Sequence, residues 1–405
     1  MPSPHVESVK GHRDFRLLWA GSISSQFGSA IGMVALPFIA VMVLQVSEWQ
    51  VSLLAGLSAL ATALLALPIG RKVEHLGKRP VMIGCDLIRA VSLATVPVAA
   101  LAGALTFTHL CAVAVLNAVF AVAFTAASQS HLKALVTSAG LIDANSRLES
   151  TRWLSVAVGP SVAGALVAAV TAAGALAVNS VGFVAAALAI RGIRAPEPPP
   201  PVPDEKASRR AELFAGLTFV WAHPALRPML GSWVLFAGAS AMASPLLAVF
   251  YMRDLGFSAF EYGLLMGVPS LAGLLGARSV PGLVTRLGVL RTLRGASLLR
   301  GPWYFLIPLA VPGPVGLLMA GIGFGLVLFF AAAANSAMAG YRQLETPDHL
   351  MSRVATLWSF ASTVSQPLFI MVGGVLAALT DTRLSLFAAA GVMTVSALLL
   401  PKREE

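Results

Sequence analysis

Charge is scarce in this sequence: Asp, Glu, Lys and Arg together make up 11% of it, acidic residues number 18 in 405, and hydrophobic residues reach 57%. A soluble chain carries about a quarter charged residues. It could not bury this much apolar surface, so lipid must be the solvent for most of the molecule. Cysteine is nearly absent: Cys85 and Cys111 fall inside apolar runs, where they read as small buried hydrophobes, which leaves no basis for disulfides or redox chemistry. His5, His12, His75, His109, His131, His223 and His349 are scattered without ligand spacing, so no metal site is expected. There is no phosphate loop of the Gly-Lys-Ser/Thr type, which excludes a primary ATP-driven pump within this chain, and no Gly-x-Ser-x-Gly elbow. Neither enzymatic activity nor a cofactor is expected.

What the chain has instead is long apolar runs, with a mean hydropathy of +0.81. A helix needs about 20 apolar residues to cross a hydrocarbon core of roughly 30 Å. Twelve segments meet that need, at 17–43, 50–70, 80–102, 107–129, 146–170, 173–192, 226–252, 260–280, 291–311, 315–340, 352–378 and 383–400. Their length and their Ala, Leu and Val content exclude the short alternating strands of an outer-membrane barrel. The expected fold is an all-α membrane protein with twelve transmembrane helices arranged as two pseudo-symmetric six-helix bundles. Residues 1–192 form the first bundle, 193–225 a cytoplasmic linker and 226–405 the second. The linker contains the stiff run Pro196-Glu197-Pro198-Pro199-Pro200-Pro201-Val202-Pro203, followed by an amphipathic stretch through Trp221.

The net charge of +10 does not point to nucleic acid, because the basic residues alternate between connections instead of forming one patch. Arg13 and Arg16, Arg71 to Arg79, Lys133 and Arg147, Arg191 to Arg210, Arg286 to Arg294, Arg342 and Arg353, and Lys402 and Arg403 lie in every second connection. By the positive-inside rule both termini and the central linker are cytoplasmic in a multi-pass protein of the plasma (inner) membrane, which requires an even number of spans. The polar first fifteen residues precede a span too long for a signal-peptide core, so no cleaved leader is expected.

The two halves repeat. The glycine-flanked charged hairpin Gly70-Arg71-Lys72-Val73-Glu74-His75-Leu76-Gly77-Lys78-Arg79 has a worn copy 211 positions later, with Val284, Leu287 and Gly288 matching Val73, Leu76 and Gly77. At the same offset Arg16 matches Arg227 and Arg89 matches Arg300. In span five, Arg147 precedes Pro160 by thirteen positions; in span eleven, Arg353 precedes Pro367 by fourteen. Parallel repeats of six helices are the ground plan of transporters that rock two bundles about a central site.

The hairpin resembles the signature between spans two and three of the major facilitator superfamily. Gly70, Gly77, Lys78 and Arg79 fit its pattern, while Glu74 stands for the usual aspartate and His75 for an arginine. The runs Asp14 to Gly21, Asp86-Leu87-Ile88-Arg89-Ala90, Ala144 to Ser150 and Tyr341 to Ala355 resemble the branch of bacterial macrolide-type drug exporters and the enterobactin exporter. Gly159, Pro160 and Gly164 are similar to the helix motif that the superfamily's exporters carry. The resemblance implies a conformational latch made of Gly70, Glu74, His75, Gly77, Lys78 and Arg79 with Asp86 and Arg89. It also implies a small-molecule substrate and, from resemblance alone, protons as the coupling ion.

The residues themselves leave several roles open. Asp86 and Arg89 sit three apart on one helix face, as a local ion pair or as substrate contacts. Arg300 has Ser297 where Asp86 would be, so it either bonds another helix or faces a cavity. Glu149 and Arg152 are a helix-end pair or a proton carrier. Gln26, Asn117, Gln129, Asn335 and Gln366 join them as candidate substrate or proton sites; such uncharged polar groups serve interhelical bonds or a cavity equally well. The expected function is secondary transport, exporting a small amphipathic organic compound by alternating access, in a monomer embedded in lipid. A solute importer on the same fold and a non-transporting membrane sensor or assembly partner are the alternatives.

Overall fold

In the computed structural model, residues 13–136, 141–197 and 209–401 are described, and among them helices are the only regular elements. The chain runs α1 (Arg13–Phe38), α2 (Glu48–Glu74), α3 (Lys78–Leu101), α4 (Phe107–Leu135), α5 (Leu141–Arg191), α6 (Arg209–Ala222) and α7 (Leu226–Val249). It continues through α8 (Ala259–Gly267), α9 (Ser270–Leu287), α10 (Val289–Arg300), α11 (Pro314–Glu345), α12 (Met351–Leu379) and α13 (Thr382–Ser396). Among the described residues, ten helical stretches are long and apolar enough to cross a membrane.

The difference from twelve has two local causes. The first is that spans five and six are joined in α5, whose 51 residues would extend about 75 Å if straight, far beyond a bilayer core. The helix breaks at Val170 and at Thr171, whose φ of +69° reverses the direction of the chain. A β-branched residue is strained there by about 1–3 kcal/mol. Thr171 Oγ1 partly offsets this by accepting the Gly174 N–H at 3.2 Å, capping the second limb. The second cause is that the ninth expected span begins as the 12-residue α10 and stops at Arg300. A side chain at Gly301 would strike the Thr394 backbone, Pro302 brings no N–H, and a 3-10 turn follows over Pro302–Leu306.

Two compact units emerge, one from residues 13–44 and 57–197, the other from 45–56 and 209–401. In the first, α1 is held against both limbs of α5: Trp19 Nε1 donates to Thr151 Oγ1 at 2.8 Å, and Asn179 Nδ2 donates to the Gly28 carbonyl at 2.8 Å. Ser180 Oγ ties the second limb of α5 to the Ala90 carbonyl of α3 at 2.7 Å. In the second unit small residues let helices approach closely. A Cβ on Gly276 would collide with the Phe329 backbone, and one on Gly238 would meet the Phe369 ring. The start of α2 belongs to this unit, with Glu48 paired to Arg253 at 3.1 Å and Ser52 against Gly374.

The repeat offset persists in the backbone. A π-helical turn ends α1 at Ile39–Val43, and another ends α7 at Phe250–Asp254, 211 positions on. The same offset separates the starts of α2 and α8, and of α3 and α10.

Candidate functional site

The first unit contains a cavity of about 230 Å³ walled by four helical segments. From α1 come Ser22, Ser25, Gln26 and Ser29; from α3, Arg89; from α4, Thr125, Ser128 and Gln129; from α5, Asn145, Glu149 and Arg152. Phe124, Leu132 and Leu148 supply apolar wall. Of the sequence candidates, Gln26, Gln129, Glu149 and Arg152 line this cavity, and Arg89 joins them from α3. The serines were not singled out in the sequence. Their spacing at 22, 25 and 29 puts them on one face of α1, the one signal that could have found them.

Arg89 is fixed from three sides. Nη1 donates to Ser25 Oγ at 2.9 Å, Nη2 donates to Ser29 Oγ at 2.8 Å, and the guanidinium lies 4.0 Å from the centroid of the Phe183 ring. Asp86, fully buried, stands 3.8 Å from Nη1, so its contact is a long ion pair supplemented by a 3.5 Å contact from Ser25. The second carboxylate oxygen of Asp86 has no hydrogen-bond partner. Glu149 and Arg152 make a closer, forked pair, with Nη2–Oε1 at 2.5 Å and Nε–Oε2 at 3.0 Å, half exposed to the cavity side. Asn117 lies outside the cavity lining. Its amide donates to Ser92 Oγ at 3.1 Å and to the Val113 carbonyl at 3.0 Å, an interhelical bond.

Arg300 occupies the matching place in the second unit and is completely buried. Nη2 donates to Ser232 Oγ at 3.0 Å and to Ser396 Oγ at 3.2 Å, and the guanidinium lies 4.0 Å from the Phe236 ring centroid. Nε and Nη1 have no partner, and no carboxylate faces it among the described residues. Asn335 is exposed and Gln366 half-buried in this unit, and neither is among the residues lining the 230 Å³ cavity.

At the 70–79 hairpin, α3 starts behind Gly77, a residue with no side chain to cap the helix. The cap comes from Glu197, 119 positions away, which accepts the Lys78 N–H at 2.7 Å and the Arg79 N–H at 2.6 Å. Lys78 Nζ turns back onto the carbonyls of Val73 and Leu76 at 2.7 and 2.8 Å. Arg79 Nη2 donates to the Arg191 carbonyl at 2.8 Å, while His75 is exposed. A Cβ at Gly70 would meet nothing within 4 Å, and the Glu74 side chain lies outside the described residues. No sequence signal pointed to Glu197.

Gly159, Pro160 and Gly164 are all buried in α5. A Cβ on Gly159 would overlap that of Ala30, so the glycine sets the closeness of α5 to α1. The helix continues through Pro160 with no break in its dihedrals.

Apolar helices of membrane-crossing length, a doubled backbone plan and a polar pocket inside one half are the features of an integral membrane transporter. The chain belongs to the Major Facilitator Superfamily, whose sequence profile matches residues 18–367. It is 28% identical over 400 residues to the multidrug efflux pump Tap of Mycolicibacterium fortuitum, covering 96% of both chains. It is 25% identical over 373 residues to the Tap pump of Mycobacterium tuberculosis (strain ATCC 25618 / H37Rv), covering 89% of this chain and 86% of that one. In fold it is similar to a bacterial homologue of the iron transporter ferroportin in an inward-facing state, with a TM-score of 0.76, 17% identity and coverage of 96% and 97%. The nucleoside transporter NupG gives 0.73, 14% identity and coverage of 95% and 97%.

Proposed function

We propose that this transporter exports a small amphipathic organic compound from the cytoplasm by alternating access, in exchange for protons. The observation that carries the reading is the mixed cavity of the first unit, where hydroxyl, amide and guanidinium donors stand beside Phe124, Leu132 and Leu148. At about 230 Å³ it is smaller than the roughly 300–1,000 Å³ of pockets that enclose a drug-sized ligand. It suits the acceptor-rich polar end of a larger molecule, such as a macrolide-like or siderophore-like compound. The efflux-pump names of the Tap relatives support the outward direction.

For the proton, Asp86 is the better of two carboxylates. Both oxygens of Glu149 are taken by Arg152, whereas Asp86 keeps one oxygen without a partner and adjoins the cavity through Arg89. The latch role of the 70–79 hairpin, the helix-packing role of Gly159, Pro160 and Gly164, the cytoplasmic placement of both termini in the plasma membrane, and action as a monomer belong to the same reading.

Cells expressing the chain are expected to retain less of a fluorescent macrolide derivative than vector controls, with retention restored by a protonophore. Equal retention with and without the chain would overturn export. Increased uptake would make it an importer.

A further inference from the structure

A second cavity, of about 690 Å³, opens in the first unit where α3 begins and the second limb of α5 ends. Arg79, Arg191 and Arg194 line it together with Pro80, Gly84 and Glu197. Among the described residues, three guanidinium groups against one carboxylate give its lining a charge of +2. Arg191 and Arg194 are exposed, and no ion-pair partner for either side chain occurs among the described residues. Glu197 already shows that the pocket accepts an anionic oxygen pair, since its carboxylate sits on the α3 amides.

What leads away from the pocket is apolar. On α3 the face carrying Pro80 and Gly84 continues to Val91, which is 66% exposed; on α5 the face carrying Arg191 continues to Leu188 and Val181, 62% and 68% exposed. The two helices are tied at the pocket by Arg79 and Arg191, and again eleven residues along by Ser180 and Ala90. That separation is about 16 Å of helix, close to the roughly 15 Å depth of one leaflet.

We propose that this pocket binds the phosphate headgroup of an anionic phospholipid, with its acyl chains along the exposed faces of α3 and α5. Basic pockets between membrane helices are suited to such headgroups. A phosphodiester charge of −1 fits the +2 pocket, and the apolar stripes favour a lipid over free phosphate. The pocket adjoins the hairpin and not the cavity around Arg89, so the site is independent of the export reading.

The test uses the full chain purified in neutral detergent, with retained lipid measured by native mass spectrometry. Phosphatidylglycerol should be retained in preference to phosphatidylcholine of the same acyl composition. Each guanidinium contributes about fivefold, so Arg191→Gln/Arg194→Gln should reduce that preference about 25-fold. Both side chains are exposed, and the variant should elute as the wild type does on gel filtration. Glu197→Gln raises the pocket charge and should strengthen retention several-fold, which tests the site even if the double variant does not fold. Equal retention of the two lipids, an unchanged preference in the folded double variant, or no gain in Glu197→Gln would overturn the proposal. Displacement of the lipid by equimolar inorganic phosphate would assign the pocket to free phosphate and overturn the lipid.

Discussion

Arg89 and Arg300 are the same residue of a doubled plan in two different chemical settings. Each projects from one of the offset-matched helices α3 and α10 onto serines and an aromatic ring, at 4.0 Å from the ring centroid in both cases. Arg89 has a buried carboxylate three residues before it and opens onto a polar cavity. Arg300 has Ser297 in that place and is sealed from solvent. One half thus keeps a charged, reachable centre; in the other, the same guanidinium is packing. The lesson is that a repeat can preserve where a side chain goes while changing what it is able to bind.

The largest expected effect breaks this comparison at its charges. Arg89→Met strands the buried Asp86 carboxylate and should cost about 3–5 kcal/mol, read as a large fall in the thermal unfolding midpoint in detergent. Arg300→Met removes a buried charge that has no counter-charge and should change stability by less than about 1.5 kcal/mol, since apolar replacement of buried ionic groups is often neutral. Equal losses in the two variants would refute the distinction. Asp86→Ser combined with Arg89→Met leaves no stranded carboxylate and should recover most of the loss.

A smaller effect separates the aligned glycines. Gly288 has φ +83° and ψ 162°, a region essentially restricted to glycine, so Gly288→Ala should cost about 1–3 kcal/mol. Gly77 has φ −58°, open to any residue, and its new Cβ would meet the tip of Glu197 at 3.1 Å and the edge of the Pro80 ring at 3.3 Å, side-chain atoms and not backbone. Gly77→Ala should therefore cost under about 1 kcal/mol, measured in the same unfolding assay. The smallest change is Glu149→Gln, because half-exposed pairs contribute about 0.2–1 kcal/mol. Its stability should hardly move, while efflux of the fluorescent macrolide probe proposed above should slow if the forked pair shapes the cavity wall.

Much of the fold was legible because membrane helices advertise themselves by length and apolarity, and because the matched positions of the hairpins and arginines reveal the doubling. The break between 170 and 173 was readable as a gap between spans, although nothing marked Thr171 as the residue that turns. The interruption after Arg300 was not readable: Pro302 hinted at it, but the reason is the tight approach of Gly301 to Thr394, a tertiary fact. For the site, charged and amide residues drew attention through their cost in lipid, whereas Ser22, Ser25 and Ser29 passed as ordinary helix residues. Arg300 was left between two fates by its sequence; Ser232, Ser396 and Phe236 decide for burial. Glu197 was hidden by distance along the chain, since capping across 119 residues leaves no local pattern.

The paired π-helical turns carry a consequence for angular phase. In both halves the turn closes with an N–H reaching back five residues at 2.9 Å, from Leu44 to Ile39 and from Leu255 to Phe250, yet none of the five matched residue pairs is identical. What has been kept is a count. Each residue of helix advances the facing direction by about 100°, so removing one residue from either turn would rotate the serine-bearing face of α1, or the Ser232 face of α7, by that angle against whatever follows.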